Sequence, residues 1–177
     1  RHGTDPGGGP GCRDRRVSDI FDDITAFAPA IPRGRPLAGL DLGTRTIGVA
    51  VSDRLLSVAT PMLTIRRRKF TQDAARLQEI LSERDIGGLV LGLPRNMDAS
   101  EGPRAQSTRA FARNLSRLID LPICFWDERL STVAAERALL EADTSRRRRA
   151  EVIDHVAAAY ILQGALDRLA NLGQARP

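Results

Sequence analysis

The chain has 177 residues, with 27 Lys plus Arg against 22 Asp plus Glu and a formal net charge of +5. That length suits one compact domain with a proper core. Cys12, Cys124, His2 and His155 form no C-x-x-C or Cys/His cluster, which argues against a zinc site. No apolar run approaches a membrane span and no secretory signal precedes the domain, so the chain reads as cytoplasmic and without membrane contact. Lys69 is the only lysine. Arginine forks suit phosphate, so the basic excess leans toward a nucleic acid partner, although a GC-rich genome yields the same composition.

Residues 1–36 read as an N-terminal extension, largely disordered, because its first part is Gly, Pro and Arg with little that is apolar. Within it Ser18 is a candidate N-cap, and Ile20, Ile24 and Phe27 recur at helical spacing, which predicts a short helix over 18–27. Residues 37–170 form the domain and 171–177 a tail. The domain opens with LAGLDLGTRTIGVAVSD, two strand-forming runs flanking Gly43-Thr44-Arg45, which is a β-hairpin pattern. Asp41 lies between Leu40 and Leu42, so its side chain points to the opposite face from theirs. A bare carboxylate inside a core strand costs several kcal/mol, on the order of an uncompensated buried ion, unless a basic side chain or a metal meets it.

Ser57 to Ile65 is a third strand interrupted by Pro61, which places it at a sheet edge. A basic loop, Arg66 to Lys69, leads to an amphipathic helix marked by Ala74, Leu77 and Leu81. Leu89-Val90-Leu91 is a buried strand running into the sharp loop Gly92-Leu93-Pro94-Arg95-Asn96. Pro103 opens a long helix with Thr108, Phe111, Leu115 and Leu118 inward and Arg109, Arg113 and Arg117 on a wet face. Leu121 to Trp126 is a fifth strand, ending in Asp127-Glu128-Arg129. A helix over about Thr132 to Glu141, an arginine-rich loop to Arg149 and a helix from Ala150 to about Ala170 complete the chain. The expected fold is α/β: a mixed five-stranded sheet, three antiparallel strands then two parallel ones, flanked by helices.

Asp41, Glu128 and Asp154 occupy special places: a strand interior, a strand end and the first turn of the last helix. Ala157 and Ala158, one turn beyond Asp154, would let that helix approach the sheet closely. Three converging carboxylates repel unless a hard divalent cation such as Mg2+, or Mn2+, is shared among them. Each also has a plain reading. Asp154 can favour a helix N-terminus, and Glu128 can pair with a surface arginine. Strand interiors are poor in Asp, which leaves Asp41 hardest to dismiss. For phosphate contacts the candidates are Thr44, Arg45, Arg95 and Asn96 in loops, Arg129, and the run Arg146, Arg147, Arg148 and Arg149.

With these motifs laid out, the chain resembles the YqgF family, also called RuvX: RNase H-like proteins described as Holliday junction resolvases and as pre-16S rRNA nucleases. The resemblance runs through DLGTRTIGVAVSD, GLPRNMDASEGPRAQSTRAFARNL, WDERLSTVAAERALL and RRRRAEVIDHVAAAYILQGALD, roughly Leu37 to Leu169. It implies an RNase H-like fold with Asp41, Glu128 and Asp154 as the acidic site. It also implies two-metal hydrolysis of a phosphodiester, with ions about 4 Å apart, leaving 5′-phosphate and 3′-hydroxyl ends. The implied role is a metal-dependent endonuclease on structured nucleic acid, preferably 5′-end processing of precursor 16S rRNA, as a monomer or homodimer. The alternatives are a DNA junction resolvase, which needs two symmetric sites, and a non-catalytic RNA-binding assembly factor. Asp41-Leu42-Gly43-Thr44 also matches the phosphate loop of actin and sugar-kinase folds, but that architecture needs two such domains. One departure from the family pattern is Ala99, where Gly is expected.

Overall fold

The computed structural model describes residues 19–130 and 146–174, the side chains of 146–154 and 174 excepted. The hairpin is β2 (Leu37–Leu42) and β3 (Thr46–Ser52), closed by the Gly43 N–H donating to the Thr46 carbonyl at 2.9 Å. β4 (Ala59–Arg66) pairs antiparallel with β3 and lies at the sheet edge, as Pro61 requires. Pro61 sits opposite Ala50 beside a register shift at Val49/Ala50, which accommodates its missing N–H. β5 (Gly88–Leu93) pairs parallel with β2, and β6 (Ile123–Asp127) parallel with β5. Gly92 therefore lies inside a strand rather than in the loop expected there.

The sheet has six strands, not five. The additional one, β1 (Ile20–Phe21), pairs parallel with β6 and completes the order β1-β6-β5-β2-β3-β4. Its residues were expected in a helix over 18–27; the helix present, α1 (Ile24–Phe27), is four residues long and capped by Asp23, which accepts from the Thr25 N–H at 2.9 Å. The reason is tertiary. β6 offers an open edge, and the Ile123 N–H donates to the Asp19 carbonyl at 2.9 Å. Ile20 and Phe21 then pack on opposite sides of the sheet, as strand alternation dictates.

Helices α2 (Phe70–Glu83) and α3 (Pro103–Ser116) cover one face, over a core that includes Leu40, Leu42, Leu77, Leu91, Phe111 and Leu115. Leu118, expected to face inward, is 47% exposed, because α3 ends at Ser116 and the chain turns there. The other face is covered by one long helix, α4 (Arg146–Gln174), packed over Leu37, Val90 and Cys124. It begins four residues earlier than expected, so Arg146 to Arg149 are helical and not a loop; the helix preference of arginine outweighs the cost of positive charge at a helix N-terminus. The helix expected over 132–141 lies outside the described residues. Among the described residues no helix is long and apolar enough to cross a membrane.

Two contacts give the direction of α4. Gln163 Oε1 accepts from the Ala59 N–H at 2.9 Å, at the start of β4, and His155 Nδ1 meets Thr64 Oγ1 at 3.0 Å near its end. The register then runs Thr64 to Gly48 to Asp41, so His155 lies at the level of Asp41 and α4 runs antiparallel to β2. The approach is close because Gly39 lacks a side chain: a Cβ there would stand 2.7 Å from Leu162 Cβ and 2.8 Å from the Ala158 carbonyl oxygen. The second of these is helix backbone and cannot rotate away. Gly39→Val is therefore expected to lower unfolding stability by about 1–3 kcal/mol or more, as core overpacking does. A shift of the urea midpoint at constant slope measures it.

Candidate active site

Residues 41, 39 and 37 of β2 share the face covered by α4, and Asp41 is 2% exposed there. The register that pairs Leu40 with Leu91 brings Asp41 level with Gly92, and Gly92 pairs in turn with Trp126. Glu128 follows β6 in a 3-10 turn (Glu128–Leu130), and its carboxylate folds back over that row: Oε1 lies 2.8 Å from where a Gly92 Cβ would stand. Gly92 thus leaves room for the Glu128 carboxylate and, nearer still, for the Ile161 side chain, on the face of the sheet that carries Asp41. Neighbouring strands are about 4.8 Å apart.

Position 154 lies one turn before Ala158, on the same face of α4 and toward the Asp41 end of β2. Its side chain lies outside the described residues, as do those of Arg146 to Arg149. Among the described residues no three His, Cys, Asp or Glu groups converge on a metal position, and the Asp154 side chain is not one of those described. His155 is half-buried and tied to Thr64.

A chain of ion pairs fixes the ground around Glu128. Asp127 is held in a fork by Arg129, Nε to Oδ1 at 3.0 Å and Nη2 to Oδ2 at 2.6 Å, with Arg95 Nη1 at 3.7 Å. Arg95 also reaches Glu101 at 4.0 Å, and Glu101 receives Arg109 Nη2 at 3.1 Å. Arg109 goes on to Asp22 at 2.7 Å and stacks over Phe125, 4.9 Å from the ring centroid. So Arg109 is a clamp joining α3, the β5–α3 loop, β6 and the residues after β1, not part of a wet ridge. Glu101, Arg109 and Asp22 had no local signature, since their partners are six or more residues away, whereas Asp127 and Arg129 pair two residues apart. Arg95 and Arg129, expected to grip phosphate, are engaged inside the protein. Asn96 Nδ2 donates to Ser100 Oγ at 2.9 Å and so closes its own turn. Thr44 and Arg45 are exposed at the hairpin turn.

The 96–100 turn carries the sequence's one departure. Ala99 has φ +70°, the left-handed region that glycine adopts without cost. The Ala99 N–H donates to the Asn96 carbonyl at 2.9 Å, and Asp98 Oδ1 takes the Ser100 N–H at 3.0 Å, so the turn holds despite the strain. Arg129 Nη1 braces it from the other side through the Met97 carbonyl at 3.3 Å.

The fold and the strand-end carboxylates define an RNase H-like α/β protein of the kind that positions acidic groups for work on a phosphodiester. The chain belongs to the RuvX family: the model described as "RuvX: Holliday junction resolvase" matches residues 35–168. It is 76% identical over 152 residues to a protein of Roseobacter denitrificans, covering 85% of this chain and 93% of that one. It is 72% identical over 157 residues to one of Cereibacter sphaeroides, covering 89% and 98%. Both relatives carry the name pre-16S rRNA nuclease. Among solved structures, T. thermophilus RuvC in complex with Holliday junction substrate superposes with TM-score 0.51 at 14% identity, covering 81% of this chain and 99% of that one. The yeast mitochondrial Holliday junction resolvase Ydc2 gives 0.50 at 10% identity, covering 86% and 87%. These two likenesses establish the fold.

Two predictions follow from the turn and the ion pairs. Ala99→Gly is expected to raise stability by about 1 kcal/mol, the relief of a left-handed alanine less the extra freedom of the unfolded glycine; thermal unfolding reads it. Asp127 is held below the usual carboxylate range chiefly by Arg129, and Glu101 by Arg109. Unfolded, such groups titrate near about 3.9 and 4.3. The native state therefore binds fewer protons, and the stability these pairs contribute is complete above about pH 5 and lost as pH falls through 4 and below. Urea midpoints between pH 3 and 7 are expected to fall on the acid side, and Asp127→Asn is expected to flatten that fall.

Proposed function

We propose that the chain is a divalent-metal-dependent endonuclease that hydrolyses phosphodiester bonds of structured RNA, with precursor 16S rRNA in the cytoplasm as its substrate. The observation that carries this reading is the Asp41 carboxylate, buried in a core strand, level with a glycine over which Glu128 folds its own carboxylate. Two carboxylates converging on one row of the sheet form an all-oxygen, hard donor pair, which suits Mg2+ or Mn2+.

Asp41, Glu128 and Asp154 would hold the metal, which when bound supplies an activated water and charge neutralisation at the leaving oxygen. The chain's own contribution is position. Asp41 is fixed by strand pairing on both sides. Glu128 is fixed by the fork of Arg129 on the preceding residue. Thr44 and Arg45, exposed at the turn directly after β2, would meet the phosphates flanking the cut, and Arg146 to Arg149 would meet others from the start of α4. Arg95 and Arg129 take a positioning role instead. Such phosphate contacts give affinity that is sensitive to salt and largely indifferent to sequence.

The family description favours a second reading, resolution of a four-way DNA junction. Wild type and Asp41→Asn are to be assayed side by side on precursor 16S rRNA and on a synthetic junction, with Mg2+ and with chelator. Cleavage of the RNA with Mg2+, lost by at least about 10²–10³-fold in a folded Asp41→Asn, is the expected result. Undiminished cleavage by the variant would remove Asp41 from the site. Cleavage confined to the junction would select the second reading.

A further inference from the structure

Around the rim from Asp41 lies a cavity of about 330 Å³ between the hairpin turn and the start of α3, lined by Leu42, Gly43, Thr44, Arg67, Pro103, Arg104, Ser107, Thr108 and Phe111. Arg104, Ser107, Thr108 and Phe111 recur at i, i+3, i+4 and i+7, so α3 presents them as one stripe. Arg67 comes in from the end of β4: its Nη1 donates to the Gly43 carbonyl at 2.7 Å and its guanidinium lies 5.8 Å from the Phe111 ring centroid. The floor is apolar (Leu42, Pro103, Phe111), the walls carry two guanidiniums and three hydroxyls, and no carboxylate lines it. This chemistry repels cations and accepts a ligand that is anionic at one end and flat and apolar at the other. The volume falls at the small end of the roughly 300–1,000 Å³ of small-ligand sites.

The cavity begins at the residue after Asp41. Leu42, Gly43 and Thr44 directly follow it, but Leu42 points to the face covered by α3 and Asp41 to the face covered by α4, so the two sites lie on either side of the hairpin end of the sheet. A substrate strand that reaches both passes over that end.

We propose that this cavity is a nucleotide subsite of the substrate strand, taking one unpaired nucleotide with its base on the apolar floor and its phosphate between Arg67 and Arg104. The inference rests on the nuclease reading and deepens it: the enzyme selects structured nucleic acid that offers an unpaired residue near the cut. Arg104 and Ser107 are both exposed, so Arg104→Glu and Ser107→Trp alter the cavity without touching the core.

The test uses the full chain in chelator with short single-stranded RNA carrying one 2-aminopurine, scanned through the strand, at several salt concentrations. For wild type, one position is expected to change fluorescence on binding. For Arg104→Glu, Kd is expected to rise about tenfold and the slope of log K against log salt to shrink by about one. Ser107→Trp is expected to erase the fluorescence change and leave the slope as it was. Binding within twofold of wild type, with an unchanged slope, in both variants would overturn the subsite and leave the nuclease reading standing. Failure of wild type to bind any of these single strands would also overturn the subsite, while the nuclease reading stands or falls on the cleavage assay above. Adenosine monophosphate binding as tightly as the oligonucleotide would assign the cavity to a free nucleotide and overturn its place on the substrate strand.

Discussion

A carboxylate buried in the centre of a sheet is the constraint around which this molecule is arranged. Asp41 is almost fully removed from water, on a strand that is buried along its whole length. Taking a carboxylate out of water is costly unless polar or charged groups meet it, and the neighbouring strands leave it room. Gly48 stands beside Asp41 on β3 and Gly92 is level with it on β5, so the neighbours on both strands bring no side chain. Glu128 enters from β6 over the second of them.

The scaffold translates that arrangement into fixed positions. Strand pairing holds Asp41, and α4 is pressed onto Gly39 so tightly that its axial position is set by backbone contact. The Thr64–His155 and Ala59–Gln163 bonds then fix its register along the sheet, and with it the level at which position 154 stands. On the other side, the chain of arginines and carboxylates from Asp22 to Arg129 ties the 96–101 loop to the end of β6. Pairs this exposed each contribute modestly to stability. Their larger effect is geometric, because six groups that constrain one another leave Glu128 little freedom at its root.

What could be read beforehand was whatever had a local physical signature. An Asp flanked by leucines in a strand-forming run identified Asp41, and Pro61 identified the edge strand. Small residues one turn past Asp154 identified the close helix. What could not be read depended on distant pairing. Ile20-Phe21 is too short for any periodicity to mark it as a strand, and only the free edge of β6 makes it one. Arg109 and Glu101 sit on either side of Pro103, and nothing nearby says that they clamp each other. Arg146 to Arg149 looked like a solvated loop because charge runs commonly are, while the backbone preference of arginine carried α4 through them. The identity of Asp154 as the third acid came from its setting and from the family resemblance, not from a contact.

The central claim is that Asp41 and Glu128 bind a divalent cation between them, at the row of Gly92. Anomalous diffraction from crystals of the full chain equilibrated with Mn2+ addresses it most directly. The account predicts an anomalous peak within about 2.0–2.6 Å of oxygens from both carboxylates. Crystals saturated with Mn2+ that show density elsewhere, and none between Asp41 and Glu128, would contradict it.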